Sequence, residues 1–355
     1  MSRLPRLTPR GRALAIAPIF FVVVNSVLVL GFTRIHFATL VHSIYTFNTI
    51  LLPILFVLTA LLAYYLPTAG AKRTGRKRLP LLWFGAALAL VGTRIYATHI
   101  EPNALQVREV EIRSAKIDTP FTLLHLSDIQ SAAIGAYETR VFERIRALDP
   151  DLIVHTGDLL QPVAPATYHT EMPKLAALFS TLSPRLGMYM VQGDTTGPLL
   201  HLKPEQTGGI VFLRNQEAVI EADGIDIRLY GLTLRSSTAR TWARHGIMEW
   251  LQASPESLHI VMGHRPDYIL KFNDLPIDLC LAGHTHGGQI RIPFIGPLVT
   301  FSRIPKKWAR GFHAVGNTWL NVSAGIGAEH ARGLPSIRVN CPPEMTLIHV
   351  FPATT

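Results

Sequence analysis

The sequence predicts an α/β domain that follows an α-helical transmembrane region. Three observations support this: long apolar runs occur in residues 1–100, strands alternate with helices after residue 119, and five predicted strands end at an aspartate or a histidine. The first hundred residues contain eleven Lys or Arg and no Asp or Glu, whereas residues 101–355 carry the other 23 basic residues and all 24 acidic ones. Because the excess positive charge lies beside apolar segments, it argues against a nucleic-acid-binding domain.

Three apolar runs predict membrane-spanning helices. Residues 14–32, 50–66 and 79–96 each approach the length of about 20 residues that crosses a bilayer. Arg94, near the end of the third run, can extend its side chain toward the headgroups. A cleavable signal peptide is the alternative for the first run, although no small-residue cleavage site is evident.

The basic residues predict the orientation of these helices. One cluster lies in residues 3–12 and another in residues 72–78, and both are expected on the cytoplasmic side of the inner membrane. With three spans the domain after residue 100 lies outside the cytoplasm, and with two spans it lies inside. We expect three spans, and therefore a multi-pass protein with an extracytoplasmic domain.

Residues 101–118 are expected to form a linker and a first edge strand, and residues 119–355 the folded domain. Strands are predicted at residues 107–112, 121–126, 152–156, 188–192, 258–262 and 277–282, as short strands within 209–230, and in the tail at 289–292, 318–322 and 345–350. Helices are predicted at residues 137–148, 170–182 and 241–252 from apolar residues at helical spacing. This alternation is typical of strands buried on both faces.

Five of the predicted strands are followed by a potential metal ligand, usually next to a glycine. The residues are Asp128, Asp158, Asp194, His264 and the pair His284 and His286. One such residue alone is more often part of a turn. In α/β sheets, however, ligands bind at the carboxyl ends of the strands, and carboxylates with imidazoles suit manganese, iron or zinc. The set therefore predicts a metal site.

The order of these motifs resembles the calcineurin-like metallophosphoesterases, and in particular a bacterial, membrane-associated branch of that superfamily. The similar stretches are LSDI at residues 126–129, TGDL at 156–159, GHTHGGQI at 283–290, and NVSAGIG at 321–327 with PPE at 342–344. The resemblance covers residues 119–351. It implies a double β-sheet sandwich flanked by helices, with two divalent cations at one end.

The resemblance also implies roles for the candidate ligands. Asp158 would bridge both cations, Asp128 and His286 would bind the first, and His264 and His284 the second. Two cations held together in this way activate water for attack on phosphorus. The expected partners are the lipid bilayer and a phosphorylated small-molecule or lipid substrate.

Three residues depart from the family pattern. Gln130 replaces a histidine and offers only a neutral amide oxygen to the first cation, so a single bound cation is the alternative. Asp194 replaces an asparagine as a ligand and adds a negative charge. Thr195 stands where the family has a histidine that assists the leaving group. With Asp158, Asp194 and Thr195 as catalytic residues, we expect slow turnover or a preference for a good leaving group.

Three functions remain open from the sequence. The first is a membrane-anchored, metal-dependent phosphoester hydrolase, acting on lipid-linked phosphates. The second is a catalytically impaired metal- or phosphate-binding or sensory module. The third is a pyrophosphohydrolase of the UDP-diacylglucosamine type on the cytoplasmic face, which two spans would favour. His125 and His155 are expected to be packed residues, and a disulfide between Cys280 and Cys341 stays open.

Overall fold

The chain divides into two compact units, Met1–His99 and Ile100–Thr355. The computed structural model describes residues 20–21, 23–27, 43–65, 78–199, 201–238, 243–329 and 335–353. The first predicted span, residues 14–32, lies mostly outside the described residues.

In the described part of the first unit, the apolar helices α1 (Leu52–Tyr65) and α2 (Arg78–Ile95) pack against each other. With the helical turns that adjoin them, Ser43–Leu62 and Pro80–Asn103 are long and apolar enough to cross a bilayer. Only 11% of the second segment is buried, which is unusual for the core helix of a soluble protein. Within the described residues, these two segments correspond to the second and third predicted spans.

The second unit is built on two six-stranded mixed sheets. The strands of the first sheet are β1 (Gln106–Ser114), β2 (Phe121–Leu126), β3 (Leu152–His155), β4 (Met188–Val191), β5 (Val211–Leu213) and β14 (Glu344–Pro352). Their order is β1-β14-β2-β3-β4-β5, and only the pair β14 and β2 is antiparallel. The parallel strands β2, β3 and β4 therefore end at the same edge of the sheet.

The second sheet has the same arrangement of parallel strands at its centre. Its strands are β6 (Gln216–Ala222), β7 (Ile225–Gly231), β8 (Leu258–Met262), β9 (Leu279–Ala282), β12 (Gly311–Val315) and β13 (Thr318–Val322). The order is β12-β13-β9-β8-β7-β6, with antiparallel pairs at the two edges. A separate two-stranded hairpin joins β10 (Arg291–Ile292) to β11 (Gly296–Pro297).

Apolar side chains of both sheets form one core between them, which includes Leu123 and Val154 from the first sheet and Ile227 and Ile260 from the second. The outer face of the first sheet packs against helices α3 (Ala136–Leu148) and α4 (Tyr168–Phe179). The helices of the described chain are completed by α5 (Pro204–Thr207), α6 (Arg244–Ala253) and α7 (Ile269–Phe272), and the last two cover the second sheet. The predicted sandwich of two sheets flanked by helices is confirmed.

The main differences from the predicted elements lie in the tail. Strands β11 and β12 are not predicted from the sequence, and the strand expected at residues 289–292 is only the two-residue β10. The predicted helix at 170–182 begins earlier, because the Thr167 side chain caps it by accepting a hydrogen bond from the backbone of Thr170. Cys280 and Cys341 are both free and buried, so the disulfide left open does not form.

Candidate metal centre

The carboxyl ends of five strands bring six potential ligands to one region between the sheets. Asp128, Asp158 and Asp194 follow β2, β3 and β4 of the first sheet, while His264, His284 and His286 follow β8 and β9 of the second. Two groups of side chains are close enough to hold a cation: Asp194 with His264 and His284, and Asp128 with Asp158 and His264. The ligand atoms within each group lie within 4.8 Å of one another.

The first group is centred on the Asp194 carboxylate. Asp194 Oδ2 lies 2.8 Å from His284 Nδ1 and 3.4 Å from His264 Nε2. The other oxygen, Oδ1, accepts a hydrogen bond of 2.7 Å from Arg265 Nη2. Asp194, one of the three departures from the family pattern, therefore lies close to the two histidines that the resemblance assigns to the second cation.

The second group contains Asp128 and Asp158. His264 Nε2 lies 3.4 Å from Asp158 Oδ2, and His286 Nε2 lies 3.7 Å from Asp128 Oδ1. His264 thus belongs to both groups, whereas the resemblance implies it as a ligand of the second cation only. It is the residue that links the two groups.

Burial and mutual charge shift the pKa values of these residues. Burial raises the pKa of Asp128 to about 6, and the charge on Asp158 adds to this. Burial alone would lower the pKa of His264, but the carboxylates of Asp158, Asp194 and Asp128 raise it to about 9. The pKa of Asp194 lies far below its usual range, because hydrogen bonds from His264 and His284 outweigh its burial.

The backbone at the site adopts a conformation that residues other than glycine rarely take. Five candidate ligands have positive φ: Asp128 (49°), Gln130 (40°), Asp158 (61°), His284 (68°) and His286 (47°). Such strain persists only where surrounding structure imposes it, and it clusters at functional sites.

Two glycines are needed because the chain segments that carry the ligands come very close together here. A Cβ at Gly193 would overlap Asp158 Oδ1, and one at Gly283 would overlap Ser127 Oγ and Asp128 Oδ2. Substitution at either position would therefore displace a candidate ligand.

Gln130 is held by an acidic residue that the sequence analysis missed. Gln130 Nε2 donates a hydrogen bond of 2.8 Å to Glu329 Oε2, and Gln161 Nε2 donates one of 2.9 Å to Glu329 Oε1. This leaves Gln130 Oε1 buried without a hydrogen-bond partner. Glu329 orients the amide so that its oxygen remains available for a cation. No sequence signal indicated Glu329, which follows no strand.

Thr195 borders both groups. Its backbone N–H donates a hydrogen bond of 2.7 Å to Asp158 Oδ1, and its carbonyl accepts one of 3.1 Å from the Tyr168 hydroxyl. The Thr195 hydroxyl is buried and has no hydrogen-bond partner. It therefore remains able to donate a hydrogen bond to a substrate oxygen.

A one-way chain of hydrogen bonds ends on Asp128. Asn321 Nδ2 lies 2.7 Å from His125 Nδ1, and His125 Nε2 lies 2.9 Å from the Thr156 hydroxyl. That hydroxyl donates to Ser127 Oγ, which donates to Asp128 Oδ2 at 2.5 Å. Burial lowers the pKa of His125 to about 3, so its ring is neutral and can accept from Asn321 while donating to Thr156. The chain fixes the orientation of the Asp128 carboxylate.

These residues fit divalent cations. Hard carboxylate oxygens and imidazole nitrogens converge, and Gln130 Oε1, a buried atom that could bind a cation, has no hydrogen-bond partner. The predicted residues Asp128, Gln130, Asp158, Asp194, Thr195, His264, His284 and His286 all lie in this region. Two arginines lie near the site: Arg265 pairs with Asp194, and Arg291 donates a hydrogen bond to the Gly287 carbonyl.

Comparison with known proteins agrees with this geometry. The model of the calcineurin-like phosphoesterase family matches residues 121–288. The uncharacterized metallophosphoesterase YkuE of Bacillus subtilis is 30% identical over 290 residues, which cover 78% of this chain and 97% of that protein. The phosphodiesterase YaeI of Escherichia coli is 33% identical over 147 residues, which cover 41% of this chain and 49% of that protein.

A third relative has a more specific name. The UDP-2,3-diacylglucosamine pyrophosphatase LpxG of Chlamydia trachomatis is 26% identical over 323 residues, which cover 74% of this chain and 87% of that protein. With the matching domain, the two-sheet fold and the convergent acidic and imidazole groups, these similarities establish that the chain belongs to the calcineurin-like phosphoesterase family.

Proposed function

We propose that this chain is a membrane-anchored, metal-dependent hydrolase of phosphate esters whose substrate is a lipid-linked phosphate. The observation that carries the proposal is the convergence of Asp128, Asp158, Asp194, His264 and His284 from five strands of two sheets. When bound there, two divalent cations would supply an activated water and neutralise the phosphoryl oxygens. Manganese, iron and zinc all suit the donor set.

We assign each residue a part in holding the cations and the substrate. Asp158 would hold both cations, with Asp128, Gln130 and His286 on one side. Asp194, His264 and His284 would lie on the other side, where Arg265 orients the Asp194 carboxylate. Thr195 would donate a hydrogen bond to an oxygen of the substrate, because its hydroxyl is otherwise unsatisfied. A threonine hydroxyl is no general acid near neutral pH, so turnover should favour good leaving groups.

For the domains, we propose a transmembrane region over residues 1–100, a linker with the first edge strand over 101–118, and a catalytic domain over 119–355. Ser43–Leu62 and Pro80–Asn103 would each cross the bilayer, with a third span in residues 14–32. Tethering would raise the effective concentration of substrates in the same membrane. A reporter enzyme fused at residue 355 tests the predicted extracytoplasmic side.

The hydrolase is tested with the full chain purified in detergent. Rates are measured with manganese, iron and zinc on p-nitrophenyl phosphate, bis-p-nitrophenyl phosphate and phosphatidic acid. We expect metal-dependent turnover that Asp158→Asn abolishes and that Glu249→Gln leaves intact, since Glu249 is an exposed helix residue paired with His245. Turnover that is independent of metal, or that survives Asp158→Asn, would contradict the proposal.

Two alternatives have their own support. A binding or sensory module is favoured by the three departures at Gln130, Asp194 and Thr195, and predicts metal binding without turnover of any ester. Cleavage of a UDP-linked diacylglucosamine is favoured by the similarity to LpxG. It predicts a cytoplasmic domain in the reporter assay, and release of UMP from that substrate.

A further inference from the structure

Residues 290–301 form an exposed apolar hairpin beside the metal centre. It contains the antiparallel pair β10 and β11 and the residues on either side. The apolar side chains that it exposes include Ile290, Ile292, Phe294, Ile295, Leu298 and Phe301. The side chain of Phe294 at the tip is fully exposed, at 109% of its reference area, and Ile295 is 65% exposed. Contiguous exposed apolar side chains of this kind mark an interaction surface.

The backbone at the tip holds this apolar surface outward. Phe294 has a φ of 66°, in the left-handed region that bulky residues rarely adopt. Strain of this kind is retained where it serves a function. Packing within the domain does not account for a residue whose backbone is strained and whose side chain is fully exposed.

The segment around the hairpin is basic and contains no acidic residue. Between Asp278 and Glu329 the chain has five Lys or Arg and no Asp or Glu. Strand β11 packs against the turn Lys306–Trp308. The side chains of Arg303, Lys306 and Lys307 are exposed, and in the described part of the chain none of them forms a salt bridge. An apolar tip with exposed cations around it is complementary to an anionic lipid surface.

The base of the hairpin is tied to the loop that carries the candidate ligands. Arg291 Nη1 donates a hydrogen bond of 2.8 Å to the carbonyl of Gly287, the residue after His286. At the other end, the Phe301 carbonyl lies 3.3 Å from His284 Nε2. Whatever surface the hairpin touches is therefore held next to the metal centre.

We propose that residues 290–301 insert into the headgroup region of an anionic lipid bilayer and bring lipid phosphates to the metal centre. The inference rests on the proposed function, because it identifies the substrate as a lipid of the contacted membrane. The occupant is the bilayer surface. A second copy of the chain could also cover the apolar side chains, but it would leave the positively charged residues around the tip unexplained.

The proposal is tested by fluorescence from a label at the hairpin tip, which requires no turnover. The full chain with Phe294→Cys is labelled with a polarity-sensitive nitrobenzoxadiazole dye and reconstituted into nanodiscs of phosphatidylcholine with or without phosphatidylglycerol. The native Cys280 and Cys341 are fully buried and should not label in the folded protein. The matched control is Val219→Cys, which is 48% exposed on edge strand β6.

In nanodiscs with phosphatidylglycerol, we expect a blue shift of the dye at position 294 and quenching by doxyl-labelled lipid. Neither effect should occur at position 219. Replacing Arg303, Lys306 and Lys307 together by glutamate should reduce the quenching. Water-like emission at 294 without doxyl quenching overturns the proposal. A blue shift that increases with protein concentration, without quenching by doxyl-labelled lipid, would indicate self-association and would also overturn the proposal.

This experiment separates the inference from the proposed function. Hydrolysis of bis-p-nitrophenyl phosphate in detergent tests the metal centre without a bilayer. Insertion of the hairpin without such hydrolysis would support the proposed membrane contact and contradict the proposed hydrolase function. Hydrolysis without insertion would do the reverse.

Discussion

Asp194 Oδ2 lies 2.8 Å from His284 Nδ1, so this residue, which follows a strand of the first sheet, contacts a histidine that follows a strand of the second sheet. The same oxygen is 3.4 Å from His264 Nε2. The family has an asparagine at this position. A carboxylate therefore takes the place of an amide at the centre of one candidate cation group, where its charge acts at close range.

Replacing Asp194 by asparagine should weaken binding of one cation. The variant restores the family residue but removes a negative charge that would bind the cation directly. Without the negative charge of Asp194, His264 also loses its proton more easily to an incoming cation, which offsets part of the loss of affinity. We expect the direct effect to dominate and the dissociation constant to rise at least about tenfold, the lower bound for changes next to a bound metal.

Isothermal titration calorimetry with zinc or manganese measures this change. Glu249→Gln is the matched control, because it removes the same charge at an exposed position of α6. Equal affinities of wild type and Asp194→Asn would show that Asp194 does not contact a cation.

Thr195→His should increase hydrolysis, above all of esters with poor leaving groups. An imidazole at this position can protonate the departing oxygen, whereas the threonine hydroxyl cannot, and general acid catalysis contributes about 10²–10⁴-fold. The rate with an alkyl phosphate should therefore rise more than the rate with p-nitrophenyl phosphate. Thr181→His, at an exposed position after α4, serves as the control. Unchanged rates with both substrates would contradict the role of Thr195.

Cation binding should strengthen as the pH rises toward about 9. The carboxylates around His264 raise its pKa to about 9, so in the metal-free protein a cation must displace a proton from the ring at neutral pH. Affinity should increase about tenfold per pH unit between 7 and 9 if this one proton is released. Below about pH 6 Asp128 also gains a proton, and the dependence should become steeper.

Calorimetric titrations in buffers of different ionisation enthalpy count the released protons. A cation affinity that stays constant between neutral pH and about pH 9 would be inconsistent with a protonated His264.

Folding stability should fall with acid because His125 and His155 are buried in their neutral form. Burial lowers the pKa of each to about 3, below the ordinary value of 6.5 that holds in the unfolded chain. The unfolded chain therefore binds more protons between these values, and stability is complete above pH 6.5 and is lost progressively toward pH 3. Between pH 6.5 and 4.5 each histidine should contribute a loss of about 2–3 kcal/mol.

Urea unfolding of the full chain at several pH values tests this. His155→Gln should reduce the acid sensitivity, while His245→Gln should not, because the His245 side chain is 87% exposed. If His155→Gln retained the full pH dependence, His155 would not be the neutral buried group described above.

The strand ends could be predicted from the sequence because the buried strands are short, apolar and followed by glycine or a ligand. Phe121–Leu126 and Leu258–Met262 occur at the predicted residues for this reason. Strand β12 was missed, since Gly311–Val315 is partly exposed and mixes His313 with apolar residues. The hairpin was missed because its prolines and glycines interrupt the alternation that indicates a strand.

The residues around the ligands could not be predicted, because they contact the site across long stretches of sequence. Glu329 bonds to Gln130, which is 199 residues away, and Asn321 bonds to His125, which is 196 residues away. Neither pair has a local pattern. Asn321 lies within a motif shared with the family, but only the three-dimensional structure connects it to Asp128.

The metal content of the purified full chain tests the central claim most directly. Inductively coupled plasma mass spectrometry on wild type and Asp158→Asn, after incubation with manganese or zinc and removal of free metal, counts the cations per chain. The account predicts two in wild type and a clear loss in Asp158→Asn, because the role proposed for Asp158 is to hold both cations. No bound cation in wild type, or the same content in the variant, would contradict it.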